Sequence, residues 1–328
     1  MAIDLMAIQP SVIPRNLSGK YILLSGEPKI GKTEFCTTAK DSLILAFEMG
    51  TNARPGAMIQ PVEKWSDVKL IVRQLEKPEI KQKFKVICFD TVAIAWDLCE
   101  QYICAQAGVQ KIGDIPYGAG YKSLSQEFER TLRKITMLGY GEILTSHLKE
   151  ELDDKGSVIG YKPDLNPRCL KVVNSLVDVI GVITKKWNDK GECERYLVTR
   201  ATPTITAGSR FRFLDPVLPF GYSYLEDAVG RAIDKEIEVS GGAAVDNVII
   251  KDEEALDYIA VRNHAQDLWV KLVGTGENAD ADMARRISKK IEMIFGHPMK
   301  LSEATEDQVD LLNLVNLEME DLLKEKSN

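Results

Sequence analysis

The sequence contains few of the residues that build metal sites and disulfide frameworks. Its 328 residues include six cysteines and three histidines. The cysteines are Cys36, Cys88, Cys99, Cys104, Cys169 and Cys193, and the histidines are His147, His264 and His297. No two cysteines form a C-x-x-C pair, and the histidines are not near them in sequence, so a zinc site or a disulfide framework is poorly supported. We expect Cys36 and Cys88 to be buried as small hydrophobic residues.

Long apolar runs and an excess of positive charge are also missing. No run of apolar residues is long enough to span a bilayer, so no membrane partner is expected. The first residues do not follow the basic-then-apolar order of a secretory signal, which predicts a cytosolic protein. With 42 Lys and Arg against 49 Asp and Glu, the net charge is −7. This balance argues against a surface coated in basic residues for bulk nucleic-acid binding, although it permits a local basic groove.

One segment fits the phosphate-binding loop pattern G-x-x-x-x-G-K-[ST] without a mismatch. It consists of Gly26, Glu27, Pro28, Lys29, Ile30, Gly31, Lys32 and Thr33. Glycine lets successive N–H groups turn toward a phosphate, the lysine brings a charge to the outer phosphates, and the threonine offers a hydroxyl to Mg²⁺. An apolar run at residues 21–24 precedes the loop and a helical pattern at residues 34–40 follows it. This order favours a nucleoside triphosphate site over a glycine-rich turn without function.

Residues 20 to about 235 alternate between strand and helix patterns, which is typical of an α/β fold. Strands are predicted at residues 42–47, 85–90 and 141–147, and helices at residues 65–77, 92–107 and 123–138. A turn signal at residues 188–191 separates residues 177–187 from residues 193–200, which predicts an antiparallel hairpin. We therefore predict a mostly parallel sheet with antiparallel edge strands.

The last quarter of the chain has a different pattern. Residues 236–252 lose clear periodicity and gain small residues, which predicts a linker. Beyond it, apolar residues recur at helical spacing over residues 254–272, 280–295 and 305–324. The predicted organisation is a P-loop domain at residues 1–235, a linker at residues 236–252 and a small helical domain at residues 253–328.

A phosphate-binding loop needs a second partner for Mg²⁺ besides Thr33. Asp90 ends the apolar run at residues 86–89. A carboxylate at the end of a buried parallel strand faces the crevice where ligands bind in α/β sheets, and such an acid commonly holds the metal of a P-loop site. The sequence predicts Mg²⁺ coordination by Asp90, with a helix-capping role as the alternative.

Two further polar residues follow predicted strands. Glu48 comes directly after the strand at residues 42–47, where a carboxylate can orient or deprotonate water. His147 ends the strand at residues 141–147 and can contact the outer phosphate or the catalytic water. The alternatives are a solvated loop acid for Glu48 and an ordinary hydrogen bond at a strand end for His147. We predict Lys32, Glu48 and His147 as the catalytic residues.

The order of these segments resembles a phage family, the RecA-like P-loop ATPases that act as ATP-dependent single-strand annealing proteins of the Sak type. The resemblance covers about residues 18 to 235. It rests on the segments GEPKIGKT, LILAFEMG, KVICFDTV, YGAGY, ILTSHLKE and SRFRFLDPVLPFGYSYL. It implies a RecA-like core that binds Mg-ATP and single-stranded DNA, often as a homo-oligomer, in the cytoplasm of a bacterial host. Members often have Asp-Thr-Glu-Gly-Gly after the second strand, whereas this chain keeps only the acid, Glu48, and the final glycine, Gly50.

The resemblance also suggests where DNA and a neighbouring subunit act. Two loops that bind DNA in RecA-like proteins correspond by position to residues 108–121 and 149–168. Candidate phosphate contacts in and after the second loop are Lys149, Lys155, Lys162, Arg168 and Lys171. Oligomeric ATPases often bring an arginine to a neighbour's γ-phosphate, and Arg210 or Arg212 is the candidate here. The alternatives are a solvated loop and a structural ion pair.

Other functions remain open on the sequence alone. The same fold supports a helicase-like motor or a loader. It also supports an ATP-binding scaffold whose helical C-terminal part recruits a partner such as a single-strand DNA-binding protein. ATP turnover that responds to single-stranded DNA favours annealing or a motor over a scaffold.

Overall fold

The structure is a computed structural model that describes residues 12–48, 55–245, 257–274, 276 and 279–327. The chain divides into two compact units. Of the described residues, 12–245 belong to the larger unit and those from 257 to 327 belong to the smaller. Within the described residues, no helix is both long and apolar enough to cross a membrane.

The larger unit contains twelve strands and seven α-helices within its described residues. The strands are β1 (Val12–Pro14), β2 (Tyr21–Gly26), β3 (Ser42–Ala46), β4 (Ile59–Pro61), β5 (Val86–Asp90), β6 (Gly141–Leu152), β7 (Val158–Pro163), β8 (Val179–Trp187), β9 (Cys193–Val198), β10 (Gly208–Ser209), β11 (Val217–Pro219) and β12 (Ala243–Val245). The helices are α1 (Lys32–Thr38), α2 (Trp65–Leu75), α3 (Pro78–Lys83), α4 (Val92–Ala107), α5 (Ala119–Met137), α6 (Pro167–Leu176) and α7 (Tyr222–Ser240).

The central sheet is mostly parallel with antiparallel strands at one edge, as the sequence predicts. Its order is β11-β9-β8-β2-β6-β5-β3-β4, with β10 added beside β8 and β7 beside β6. The strands from β4 to β8 in this order run parallel to one another. Strand β9 is antiparallel to β8, and β11 is antiparallel to β9. Because β6 lies between β2 and β5, its residues 145–147 stand between the phosphate-binding loop and Asp90.

Both faces of the sheet are covered by helices. Every residue of β2 and β5 is buried, which explains why these strands read as continuous apolar runs. Trp96 and Phe128 of α4 and α5 pack in a T-shaped arrangement in the core cluster of one face. The second cluster includes Phe35 and Cys36 of α1 and buried residues of α7. Cys36 and Cys88 are fully buried, as predicted.

The segment predicted as a loop at residues 149–168 is largely a hairpin. β6 continues through Leu152 and pairs with β7, so most of this segment has regular backbone hydrogen bonds. Asp153 stabilises the turn because its Oδ1 accepts hydrogen bonds from the backbone N–H groups of Lys155 and Ser157 at 2.9 and 2.8 Å. The loop prediction was therefore wrong over the strands of this hairpin.

The start of the predicted linker is also corrected. Helix α7 continues through Ser240 because Ile237 still packs against the core, and Gly241 ends the helix in the left-handed conformation at φ 73°. β12 then pairs with β1. Residues 236–245 are thus helix and strand of the larger unit, and residues 246–252 lie outside the described residues.

The smaller unit contains α8 (Tyr258–Val273), α9 (Ala281–Phe295) and α10 (Val309–Ser327). Asp257 and Asp280 cap the first two helices by accepting hydrogen bonds from backbone N–H groups. Leu268, Ile287 and Leu312, one from each helix, are buried in a common cluster. The helical pattern read from residues 254–324 therefore corresponds to a packed core of its own.

Candidate nucleotide site

The predicted nucleotide residues meet at one edge of the central sheet. Gly26 at the end of β2 pairs with His147 in β6, and Ala46 at the end of β3 pairs with Asp90 in β5. Glu48 follows β3 by two residues. Because these strands are parallel, their carboxyl ends face the same crevice, where ligands bind in α/β sheets.

The backbone of the phosphate-binding loop requires glycine at two positions. Gly31 has φ 120°, a region that residues with a Cβ atom rarely adopt. A Cβ atom on Gly26 would lie 2.7 Å from Cγ2 of Ile30. The loop is therefore tight and has room for backbone groups only, as expected where successive N–H groups enclose a phosphate.

Lys32 is buried beneath this loop. Its Nζ atom donates hydrogen bonds to the carbonyl oxygens of Gly26 and Glu27 at 3.0 and 2.9 Å. Burial lowers the pKa of Lys32, and the negative charges of Asp90 and Glu48 act in the opposite direction. The ammonium group is thus held at the loop by carbonyl oxygens and by two nearby carboxylates.

Asp90 is held by two hydroxyl groups. Thr33 Oγ1 donates to Asp90 Oδ2 at 2.7 Å, and Thr145 Oγ1 donates to Asp90 Oδ1 at 2.6 Å. No side chain caps the start of α4, so Asp90 does not have the helix-capping role that was the alternative. A hydroxyl beside a carboxylate is a donor set that suits a hard cation. Thr33 and Asp90 would hold Mg²⁺, which would neutralise phosphate charge.

His147 lies between Lys32 and Glu48. Its Nδ1 atom is 3.2 Å from Lys32 Nζ, and its Nε2 atom is 3.8 Å from Glu48 Oε1. Glu48 Oε1 also accepts a hydrogen bond from Thr91 Oγ1 at 2.8 Å. The three predicted catalytic residues are therefore adjacent, with His147 in the middle.

Sequence reasoning missed several residues around this site. Thr145 and Thr91 orient Asp90 and Glu48, yet a threonine within or directly after a strand gave no signal of its own. Arg195 of β9 donates to Glu34 and to the Ile30 carbonyl, and Lys185 of β8 donates to Glu27. The hairpin that carries these two cations was predicted, but its position beside the phosphate-binding loop depends on sheet order.

Arg210 and Arg212, the candidates for contact with the γ-phosphate of a neighbouring subunit, have partners within their own chain. Arg210 donates to Asp178 Oδ1 at 3.1 Å and to the Ser175 carbonyl at 2.8 Å. Asp178 also accepts a hydrogen bond from the Tyr21 backbone N–H, at the start of β2 and far from the phosphate-binding loop. Arg212 lies over the ring of Phe213 at 5.1 Å. A role for either arginine toward another subunit remains a prediction.

Three of the five predicted DNA contacts also have intramolecular partners. Lys149 pairs with Asp164 at 3.2 Å and Lys162 pairs with Glu151 at 2.6 Å. The Arg168 guanidinium lies 4.3 Å from the centre of the Tyr121 ring, so the two segments assigned to DNA contact each other. The remaining two, Lys155 and Lys171, are exposed.

The fold and the site together define a P-loop nucleotide-binding protein. The AAA domain family matches residues 18–211, which is more than half of the chain, and the chain belongs to this family. It is also similar to the SPbeta prophage-derived uncharacterized protein YorG of Bacillus subtilis strain 168. That relative is 29% identical over 336 residues, which cover 99% of this chain and 100% of the relative.

Proposed function

We propose that this protein is a Mg-ATP-dependent ATPase that binds single-stranded DNA and promotes annealing during phage recombination. The observation that carries the ATPase part is the contact of Lys32 with His147, and of His147 with Glu48, at the end of a phosphate-binding loop. In this proposal Lys32 and the loop amides bind the phosphates. Thr33 and Asp90 hold Mg²⁺, and Glu48 orients or deprotonates the attacking water.

The annealing part is supported by the connection between the site and the two segments assigned to DNA. β6 carries Thr145 and His147 at the site and then continues into the hairpin with β7. Arg168, after this hairpin, stacks on Tyr121 of the other segment. Tyr117, four residues before Tyr121, is fully exposed and is available to stack on a base. ATP binding would then change the affinity for single-stranded DNA through β6.

The cellular setting is proposed from the relative and from the resemblance. The relative is named as prophage-derived, which supports a phage protein that works in the cytoplasm of a bacterial host. We further propose that it acts as a homo-oligomer, in which Arg210 or Arg212 serves a neighbouring site, and that a single-strand DNA-binding protein is a partner.

A scaffold function is the second candidate, and the smaller unit favours it. A groove of about 430 Å³ is lined by Trp269, Ile291, Met299, Arg262 and Lys300, among other residues. A groove lined by apolar side chains and two cations is suited to a partner segment with apolar and acidic side chains. In this alternative the ATP site would control the recruitment of a partner.

DNA binding by wild-type protein and a Tyr117→Ala variant tests the proposal. With a fluorescent single-stranded oligonucleotide and ATP, Tyr117→Ala should bind about tenfold more weakly, because a stacked base contributes roughly 1–3 kcal/mol. Tyr224→Ala is the matched control, since Tyr224 is an exposed tyrosine of α7. The annealing rate of complementary strands should fall in parallel. If wild-type protein neither binds the oligonucleotide nor accelerates annealing, the DNA part of the proposal is wrong and the scaffold gains support.

A further inference from the structure

Two carboxylates lie at the phosphate-binding loop, where they oppose the binding of a polyanion. Glu27 is the second residue of the loop, and Glu34 follows Thr33 directly. Like charges repel in proportion to their closeness, and this effect is strong near a partly buried site. Lys29 and Lys32 of the loop are thus balanced by these two acids, and further positive charge must come from elsewhere if the loop is to accept a nucleoside triphosphate.

The β8–β9 hairpin supplies a cation to each of these acids. Lys185 Nζ lies 2.6 Å from Glu27 Oε2. The Arg195 guanidinium donates to both carboxylate oxygens of Glu34 at 2.9 Å, in the fork-like geometry of a strong ion pair. Arg195 and Glu34 are each about one-third exposed, whereas the side chains of Lys185 and Glu27 are about half exposed. Arg195 is thus the better held of the two cations.

Arg195 also contacts the loop backbone and an aromatic ring. Its Nη1 atom donates to the Ile30 carbonyl at 3.0 Å, and its guanidinium lies 4.2 Å from the centre of the Phe220 ring. A Cβ atom on Gly31 would lie 2.3 Å from Nη1, so the guanidinium is close against the loop. The stacking on Phe220 fixes the plane of the guanidinium.

The register of the β8–β9 hairpin also indicates that Lys185 and Arg195 serve the phosphate-binding loop. Lys185 and Arg195 are direct partners across the two antiparallel strands. Like charges at directly opposite positions destabilise a strand pair. The hairpin alone does not explain this placement, whereas the ion pairs with Glu27 and Glu34 do.

We propose that Arg195, assisted by Lys185, is a positioning residue that neutralises the acids of the phosphate-binding loop and secures the Ile30 carbonyl, so that the loop accepts phosphate. This inference rests on the proposed nucleotide binding. Arg195 acts through Glu34 and through the loop backbone, and no contact between Arg195 and the nucleotide is needed.

The test measures affinity for a fluorescent ATP analogue at low and high salt. We expect Arg195→Ala to bind about tenfold more weakly at low salt. The loss should be smaller at high salt, because salt screens the repulsion between Glu34 and the phosphates. The double variant with Arg195→Ala and Glu34→Gln should recover most of the lost affinity. Arg231→Ala, which removes an exposed ion pair with Asp215, should bind like wild type.

The outcomes separate the inference from the function on which it rests. If wild-type protein does not bind the analogue, the proposed function fails and the inference fails with it. If wild-type protein binds and Arg195→Ala binds equally well, the inference alone is overturned. Equal weakness of the single and double variants at both salt concentrations overturns the neutralising role. Thermal unfolding of each variant without nucleotide checks the fold, and Arg195→Lys, which keeps the charge, should retain more affinity than Arg195→Ala.

Discussion

The Nζ atom of Lys32 lies 3.2 Å from Nδ1 of His147. A lysine ammonium group is a donor only, so Nδ1 must accept and the ring proton of a neutral imidazole is on Nε2. Nε2 faces Glu48 Oε1 at 3.8 Å. The tautomer inferred from these contacts directs the Nε2 proton toward the candidate base. His147 therefore connects the phosphate-binding loop, the candidate base Glu48 and the strand that leads into the β6–β7 hairpin.

Replacing His147 should separate nucleotide binding from turnover. In His147→Ala, Lys32 keeps its contacts with the Gly26 and Glu27 carbonyls, so we expect ATP affinity within about threefold of wild type. Turnover should fall by about 10- to 100-fold because Glu48 loses its orienting neighbour. Steady-state hydrolysis and ATP titrations measure the two effects. His264→Ala, whose imidazole pairs with Glu320 in the smaller unit, is the control. Unchanged turnover in His147→Ala would show that His147 has no role in hydrolysis.

Glu48→Gln should keep ATP binding and lose hydrolysis. The amide can still accept the hydrogen bond from Thr91 Oγ1, so the local structure is retained. It cannot take a proton, and loss of a general base typically costs about 10²- to 10⁴-fold in rate. Single-turnover hydrolysis measures this directly. Glu129→Gln, which removes only an ion pair with Arg133 on α5, should hydrolyse ATP at the wild-type rate. Wild-type turnover in Glu48→Gln would remove Glu48 from the base role.

The order of strands explains what the sequence could predict and what it could not. The loop, Asp90, Glu48 and His147 each stand at the end of an apolar run, so local patterns were enough to find them. Their distances follow from the insertion of β6 between β2 and β5, and a local pattern does not contain that information. For the same reason Arg195 gave no signal, since its partner Glu34 is 161 residues away.

The hairpin at residues 148–163 shows a different limit. Its strands contain few buried apolar residues, so periodicity read along one strand favours a solvated loop. The pairing depends on backbone hydrogen bonds to β7 and on the turn at Asp153. The helices of the smaller unit, in contrast, were found from apolar spacing alone because each buries one face.

Stability should depend on pH through Glu142. This residue of β6 is fully buried, accepts a hydrogen bond from Thr136 Oγ1 and has no partner at Oε2 among the described residues. Burial raises the pKa of Glu142 well above its usual 4.5. Above pH 4.5 the folded protein therefore binds more protons at this residue than the unfolded chain, and its contribution to stability falls as pH rises.

Glu142→Gln should remove this pH dependence. In wild-type protein the free energy of unfolding should fall by up to about 1.4 kcal/mol per pH unit between pH 4.5 and the raised pKa. Glu142→Gln cannot ionise, so it should gain stability relative to wild type as pH rises from 5 to 8. Urea unfolding at the two pH values measures the difference. An equal pH dependence in both proteins would mean that Glu142 is not protonated in the folded state.

A chain that ends at Asp252 should retain the nucleotide site. The residues of the site and the hairpins around it belong to the larger unit, whereas α8, α9 and α10 have a core of their own. We therefore expect the truncated chain to unfold cooperatively and to bind ATP within about twofold of the full chain. Circular dichroism melting and ATP titration check both points. Aggregation or loss of folding would show that the proposed boundary between the domains is wrong.

ATP hydrolysis with and without single-stranded DNA, by wild-type protein and by Lys32→Ala, tests the central claim most directly. Lys40→Ala is the control, because Lys40 is exposed beyond the end of α1. We predict turnover by wild type and Lys40→Ala that changes when single-stranded DNA is added. We also predict a loss on the order of 10²-fold or more in Lys32→Ala, which lacks the charge at the outer phosphates. Turnover that is indifferent to DNA would contradict the annealing proposal, and equal turnover by Lys32→Ala would contradict the assignment of the site.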